Sequence, residues 1–186
     1  MPGLSTADHR ASPPRVEIPR QYNAAHDLIE RNLRAGRAAK AAFVDDAGAH
    51  TYGELAERVN RCANALVDLG IEREQRVLLC LLDTIDFPTA FLGAIKAGIV
   101  PVAANTLLTT TDYDYMLRDS RARALIVSAQ LLPTLAPLFL RLPDLKHVIV
   151  SAAPGADAPA APRAQFSFAK LLAKGGTSFD AAPTCC

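Results

Sequence analysis

The sequence predicts an α/β fold: a mostly parallel sheet of βαβ units with flanking helices and a small antiparallel flank. Three observations predict it. Apolar runs of strand length recur at Val77–Leu82, Val100–Ala104, Ala124–Val127 and His147–Val150. Segments of helical period separate them. The first run is unbroken, as in strands covered on both faces of a parallel sheet. Strand–helix alternation of this kind implies right-handed crossovers.

The elements follow in chain order. Residues 1–20 are polar and Pro-rich, with Ser12-Pro13-Pro14 and Pro19, and read as a flexible tail without the apolar core of a signal peptide. Ala24–Leu33 reads as a helix with Leu28, Ile29 and Leu33 on its apolar side. Ala41–Val44 reads as a short strand, turned back at Asp46-Ala47-Gly48 to pair with Ala49–Thr51. Thr51-Tyr52-Gly53-Glu54 is a capping box, because Thr51 can cap the backbone while Glu54 reaches back to it. Behind it Leu55, Val59, Cys62, Leu66 and Leu69 form one helical stripe, and Gly70 stands where a C-terminal cap belongs.

After the Val77–Leu82 strand, Asp86 is expected to cap a helix whose first turn tolerates Pro88. Its apolar side is Ala90, Phe91, Ala94 and Ile95, and Gly98 ends it. Pro101 falls near the start of the next strand, where a missing donor matters least. Thr111 and Asp114 are expected to open a helix running to Ser120. Leu131–Leu140 has a helical pattern that Pro137 should kink or break. Residues 21–151 thus form the α/β unit. Residues 152–186 are an Ala/Pro-rich loop, a short helix near Phe166–Leu172 and the chain end.

Composition limits function. Half of the residues are hydrophobic and 21% are charged, which excludes wholesale disorder. The net charge of +1 provides no electrostatic footprint for nucleic acid or an anionic membrane. No apolar run approaches the roughly 18 residues of a membrane span. Cys62 and Cys80 lie in apolar segments, and Cys185-Cys186 are adjacent. That is no disulfide framework, so the expected location is the cytoplasm.

His9, His26, His50 and His147 are scattered without i+3 or i+4 pairing and read as surface or half-buried residues rather than metal ligands. Asp83 and Asp86 follow a strand, where open α/β sheets place their sites. They could bind a metal or act as a base; the favoured reading is a loop residue and a helix cap. Asn105-Thr106 and Thr109-Thr110-Thr111 also follow a strand, and read as turn and cap before ligand contacts. Gly175-Gly176 lacks the spacing and the lysine of a phosphate loop, and no Gly-x-Ser-x-Gly elbow occurs.

The segment Leu81–Thr109, with Asp83-Thr84, Asp86-Phe87-Pro88, Ala94-Ile95-Lys96-Ala97-Gly98 and Asn105-Thr106-Leu107-Leu108-Thr109, resembles the N-terminal region of adenylate-forming enzymes. Thr51–Leu55 and the strand at Arg76–Leu82 fit the same pattern. Tyr22-Asn23-Ala24-Ala25, Asp27-Leu28-Ile29 and Arg31-Asn32-Leu33 are similar to the opening of the benzoate–CoA ligase group. The resemblance runs from about Arg20 to Ser151.

It implies the acyl-CoA synthetase fold and a two-step reaction. A carboxylate such as benzoate attacks the α-phosphate of ATP and diphosphate leaves; the thiol of coenzyme A then displaces AMP. Such chemistry needs Mg²⁺, lysine and backbone donors on the phosphates. The family's Ser/Thr-Gly-rich loop ending in Pro-Lys-Gly, its ribose-binding aspartate, its hinge and its C-terminal lysine have no counterpart in these 186 residues. No catalytic, cofactor-binding or metal-binding residue is therefore carried over.

The resulting expectation is the N-terminal part of an aryl-CoA ligase. It would be inactive alone, with ATP, Mg and coenzyme A serving the whole protein, and with an exposed apolar surface open to self-association. A non-catalytic binding or interaction domain on the same scaffold is the alternative. A general nucleotide-binding α/β domain is a third.

Overall fold

The computed structural model describes residues 2–153 and 165–185. Its centre is a five-stranded, wholly parallel sheet. The strands are β6 (Arg76–Cys80), β7 (Val100–Ala103), β8 (Ala124–Ser128), β9 (His147–Ser151) and β10 (Gln165–Ser167), in the spatial order β10-β9-β8-β6-β7. Among the described residues six α-helices accompany it: α1 (Ala24–Arg34), α2 (Tyr52–Asp68), α3 (Asp86–Lys96), α4 (Thr110–Ser120), α5 (Leu132–Leu135) and α6 (Phe168–Lys174).

Handedness decides which face each helix covers. The β6-α3-β7 step moves one way across the sheet. The next two steps, through α4 and α5, move back past β6 to β8 and β9. With right-handed crossovers, reversing direction puts the helix on the opposite face. Accordingly Val77, Leu79 and Ile126 pack against Cys62 and Leu66 of α2, Ala90 and Ala94 of α3, and Phe168 and Leu172 of α6. Leu78, Cys80, Leu125 and Val127 pack against Tyr113 and Leu117 of α4, and Leu132 and Leu135 of α5. Residues 77–80 are all 0% exposed, as the unbroken apolar run requires. Pro101 is tolerated because β7 is an edge strand.

Helix α2 has the predicted capping box, with Thr51 Oγ1 accepting from the Glu54 N–H at 3.2 Å and Glu54 accepting from the Thr51 N–H at 2.7 Å. It packs tightly on α3. A Cβ on Gly93 would stand 2.7 Å from both Cβ and Sγ of Cys62, so only glycine lets the axes come this close. The antiparallel flank is β4 (Ala41–Asp45) with β5 (Gly48–Thr51).

Several expectations shift. Leu28 is exposed on α1, whereas Ala25, His26 and Ile29 are buried, because α1 rests on α2 and α3 rather than on the sheet. Helix α4 is opened by Thr109, whose capping box uses Asp112, not by Thr111 and Asp114. The segment with Pro137 changes from α to a 3₁₀ turn over Ala136–Arg141, as a missing N–H and a ring clash dictate. Residues 165–167 form strand β10 before the short helix begins.

The N-terminal stretch read as a tail instead contains a hairpin of β1 (Thr6–Asp8) and β2 (Arg15–Glu17). Ser5 Oγ bonds the Asp27 carboxylate at 2.5 Å and ties it to α1. One further small pairing joins β3 (Gln21–Tyr22) with β11 (Thr184–Cys185), antiparallel. The Ala/Pro-rich stretch 154–164 lies outside the described residues.

Candidate functional site

The connection after β6 crosses one face of the sheet, and the connection after β8 crosses the other. A crevice opens at the carboxyl ends of such strands, which is where open α/β sheets hold ligands. Here the polar residues at those strand ends are bonded to one another. The Leu82 N–H donates to Ser128 Oγ at 3.0 Å, bridging the ends of β6 and β8. Ser151, the last residue of β9, donates its hydroxyl to an Asp86 oxygen at 2.7 Å. The other Asp86 oxygen is ion-paired with Arg58 of α2. Arg58 Nε also donates to Thr89 Oγ1 at 3.1 Å, and Thr89 Oγ1 donates to the Ile85 carbonyl at 2.7 Å.

The Asp86 carboxylate thus has a partner on each oxygen. It locks α2, α3 and β9 together and is not poised as a base. It does not cap α3 either: Asp86 is the first residue of the helix, and the N-cap position falls to Ile85, with no side-chain cap. Asp45 at the end of β4 takes part of that task, its carboxylate accepting from the Ile85 N–H at 2.9 Å. That bond, followed by His50 Nε2 at 3.1 Å, holds the Asp45 carboxyl below its ordinary range. Asp83 is exposed beside this cluster, outside its hydrogen-bonded core.

The remaining candidates resolve into structural tasks. Asn105 Oδ1 accepts from the Leu107 N–H at 2.8 Å in a local turn, and Thr109 caps α4. Thr110 Oγ1 donates to the Thr134 carbonyl at 3.0 Å. The histidines stay apart. His26 is buried on α1, and its Nε2 has no hydrogen-bond partner among the described residues. Its pKa is lowered by burial. His147 packs against the Phe166 ring, and burial lowers it as well. His9 is exposed. Burial pushes the Cys62 thiol up to about 12, which makes it inert, and Cys186 lies outside the described residues. Gly175 faces protein, since a Cβ there would lie 2.3 Å from the Arg61 carbonyl oxygen. Among the described residues no three His, Cys, Asp or Glu side chains converge on a metal site. No helix among them is long and apolar enough to cross a membrane.

Asp45, Arg58, Thr89, Ser128 and Ser151 escaped the sequence reading. A usable signal existed for two of them: Ser128 and Ser151 each end an apolar strand run, where a polar residue faces the ligand edge of the sheet. Arg58 sits beside the α2 stripe, one position from Val59, and nothing local distinguishes it from a solvated arginine.

Residues 29–178 match the AMP-binding enzyme family, a span of most of the chain. The chain belongs to the AMP-binding enzyme family. Within it, the chain is 55% identical over 182 residues to the benzoate–CoA ligase of Thauera aromatica, covering 97% of this chain and 33% of that relative. It is 45% identical to the 4-hydroxybenzoate–CoA/benzoate–CoA ligase of Rhodopseudomonas palustris, over 89% of this chain and 30% of the relative. Solved structures agree. A benzoate CoA ligase from Burkholderia xenovorans LB400 matches with a TM-score of 0.75 at 44% identity, over 89% of this chain and 31% of that one. The anthranilate CoA ligase AuaEII in complex with anthranoyl-AMP matches at 0.80 and 34%, over 90% and 30%. This member of the AMP-binding family therefore spans about a third of the length of the relatives it matches. Its fold is that of their N-terminal regions.

Proposed function

We propose that this AMP-binding family chain serves an ATP-dependent aryl-CoA ligase, converting benzoate, ATP and coenzyme A to benzoyl-CoA, AMP and diphosphate through an acyl-adenylate. The observation that carries this reading is the 55% identity to a benzoate–CoA ligase across 97% of the chain. In this reading residues 21–151 are the α/β unit, residues 152–186 follow it, and none of them is a catalytic, cofactor-binding or metal-binding residue.

The geometry suits a scaffold. At the crevice where a nucleotide would sit on an open sheet, the polar groups are bonded to one another, and the carboxylate of Asp86 would repel phosphate. The described residues do not fit a phosphate cradle or an Mg²⁺ site. Atoms that bind ATP, Mg and coenzyme A then belong to the remaining two thirds of a ligase. A cytoplasmic location and an aromatic carboxylic acid as substrate complete the proposal. Self-association through exposed apolar side chains, with Phe43 and Val44 on β4 as its centre, is part of it.

A chimera tests it. This chain replaces the matching third of the Thauera aromatica benzoate–CoA ligase, and benzoate-dependent diphosphate release and benzoyl-CoA are measured. The chimera should be active, and residues 1–186 alone should release no diphosphate above the blank. A folded but inactive chimera, or an active isolated chain, would refute the reading.

A further inference from the structure

Residues 165–185 are held to the body of the molecule by the pairing of β10 with β9, by α6 and by the pairing of β11 with β3. Phe168 and Leu172 of α6 are 2% and 5% exposed in the layer below α2 and α3. Between α6 and β11 the backbone lies across α2, and side chains take up its carbonyls. Arg61 Nη1 donates to the Gly175 carbonyl at 3.0 Å, and Asn60 Nδ2 to that of Thr177 at 2.7 Å. Asn64 Nδ2 donates to the carbonyls of Gly176 and Ser178 at 2.9 and 2.8 Å. Further along, Asn23 Nδ2 reaches the Ala182 carbonyl at 3.0 Å.

Asn60, Arg61 and Asn64 share one face of α2, at i, i+1 and i+4. The donors are aimed in advance. Asn60 Oδ1 accepts from the ammonium of Lys96, a residue only 9% exposed, which leaves the Asn60 amide N–H groups facing the segment. The approach is close enough to need glycine, because a Cβ at 175 would lie 2.3 Å from the Arg61 carbonyl oxygen. Every one of these clamp bonds ends on a carbonyl of the segment. The face reads a backbone path beginning Gly175-Gly176, while Phe168 and Leu172 supply apolar contact.

We propose that this face of α2, together with β9 and β3, is a docking surface whose occupant, residues 165–185, is a separable module held there without need of the covalent link through residues 154–164. The amide clamp and the β10–β9 and β11–β3 pairings set the register, and the apolar residues of α6 supply most of the affinity.

Insertion of a protease recognition sequence between Gly155 and Ala156 of the 186-residue protein tests this. After cleavage, gel filtration at micromolar concentration with mass spectrometry of the peak reads retention. The peptide should co-elute with the body, and far-UV circular dichroism should match the uncut protein. In the cut Asn60→Ala/Asn64→Ala variant, the peptide should leave about tenfold faster or more. Thr177→Ala/Ser178→Ala, which changes side chains and keeps the carbonyls, should release it no faster than wild type. Where the uncut double variant loses its circular dichroism, Asn64→Ala alone is read in its place. A peptide that separates from a folded body, or a clamp variant that releases it at the wild-type rate, would overturn the proposal.

Discussion

Removing the Asp86 carboxylate should cost about 2 kcal/mol, and most of that cost should depend on Arg58 and Ser151. Asp86 is 19% exposed and Arg58 31%, so the pair lies between two regimes. A fully buried pair that loses one partner costs about 3–5 kcal/mol, and an exposed pair contributes about 0–1 kcal/mol. In Asp86→Ala, Arg58 keeps its bond to Thr89 and can be partly solvated, which pulls the cost toward the lower regime. The Ser151 hydroxyl also loses a charged acceptor, worth about 1 kcal/mol after its residual solvation. Together these give about 2 kcal/mol, or a melting temperature lower by about 4–8 °C for a chain of this size. Urea denaturation followed by far-UV circular dichroism measures it. The stringent readout is a double-mutant cycle of Asp86→Ala with Arg58→Ala, whose coupling should be about 1 kcal/mol or more. A loss below about 0.5 kcal/mol, or strictly additive single effects, would refute the view that this cluster locks α2, α3 and β9 together.

Three more outcomes follow from the same structure. Gly93→Ala gains about 1 kcal/mol of helix propensity but drives a Cβ to 2.7 Å from Cys62. Overpacking of about 1–3 kcal/mol should win, giving net destabilisation in urea that Cys62→Gly relieves in the double variant. Thr109→Ala should cost about 1 kcal/mol by thermal melting, whereas Thr111→Ala should stay within about 0.5 kcal/mol, because Thr109 caps α4. Stability should fall as pH drops from 7 toward 5. Burial lowers His26 and His147 in the folded state, so below about 6.5 the unfolded chain takes up protons that the folded one refuses. Urea midpoints across that window should flatten in His26→Gln/His147→Gln, whereas the lowered Asp27 acts only at more acid pH.

The features legible in the sequence are those whose cause lies within a few residues. The Thr51–Glu54 box and the Leu55–Leu66 stripe report on one helix. The Val77–Leu82 run announces two covered faces because every position in it is apolar. The site was less legible because its parts are far apart in the chain. Ser151 and Asp86 are separated by 65 residues, Arg58 and Asp86 by 28, and Asp45 and Ile85 by 40. Asp86 read as a cap because its spacing allows one. Arg58 and Ser151 approach it only after the sheet has formed, and then its carboxylate is used by them. The resemblance at Leu81–Thr109 reached the family where motif searching could not.

By itself, then, the sequence determined the class of fold, the covered faces of β6, the ends of α2 and the AMP-binding family. Tertiary structure decided the order β10-β9-β8-β6-β7, the burial of His26 in place of Leu28, and the pairing of Asp86. The physical reason is range. Periodicity and capping are local properties of the backbone, while strand order and charge partners depend on surfaces that exist only once distant segments have packed.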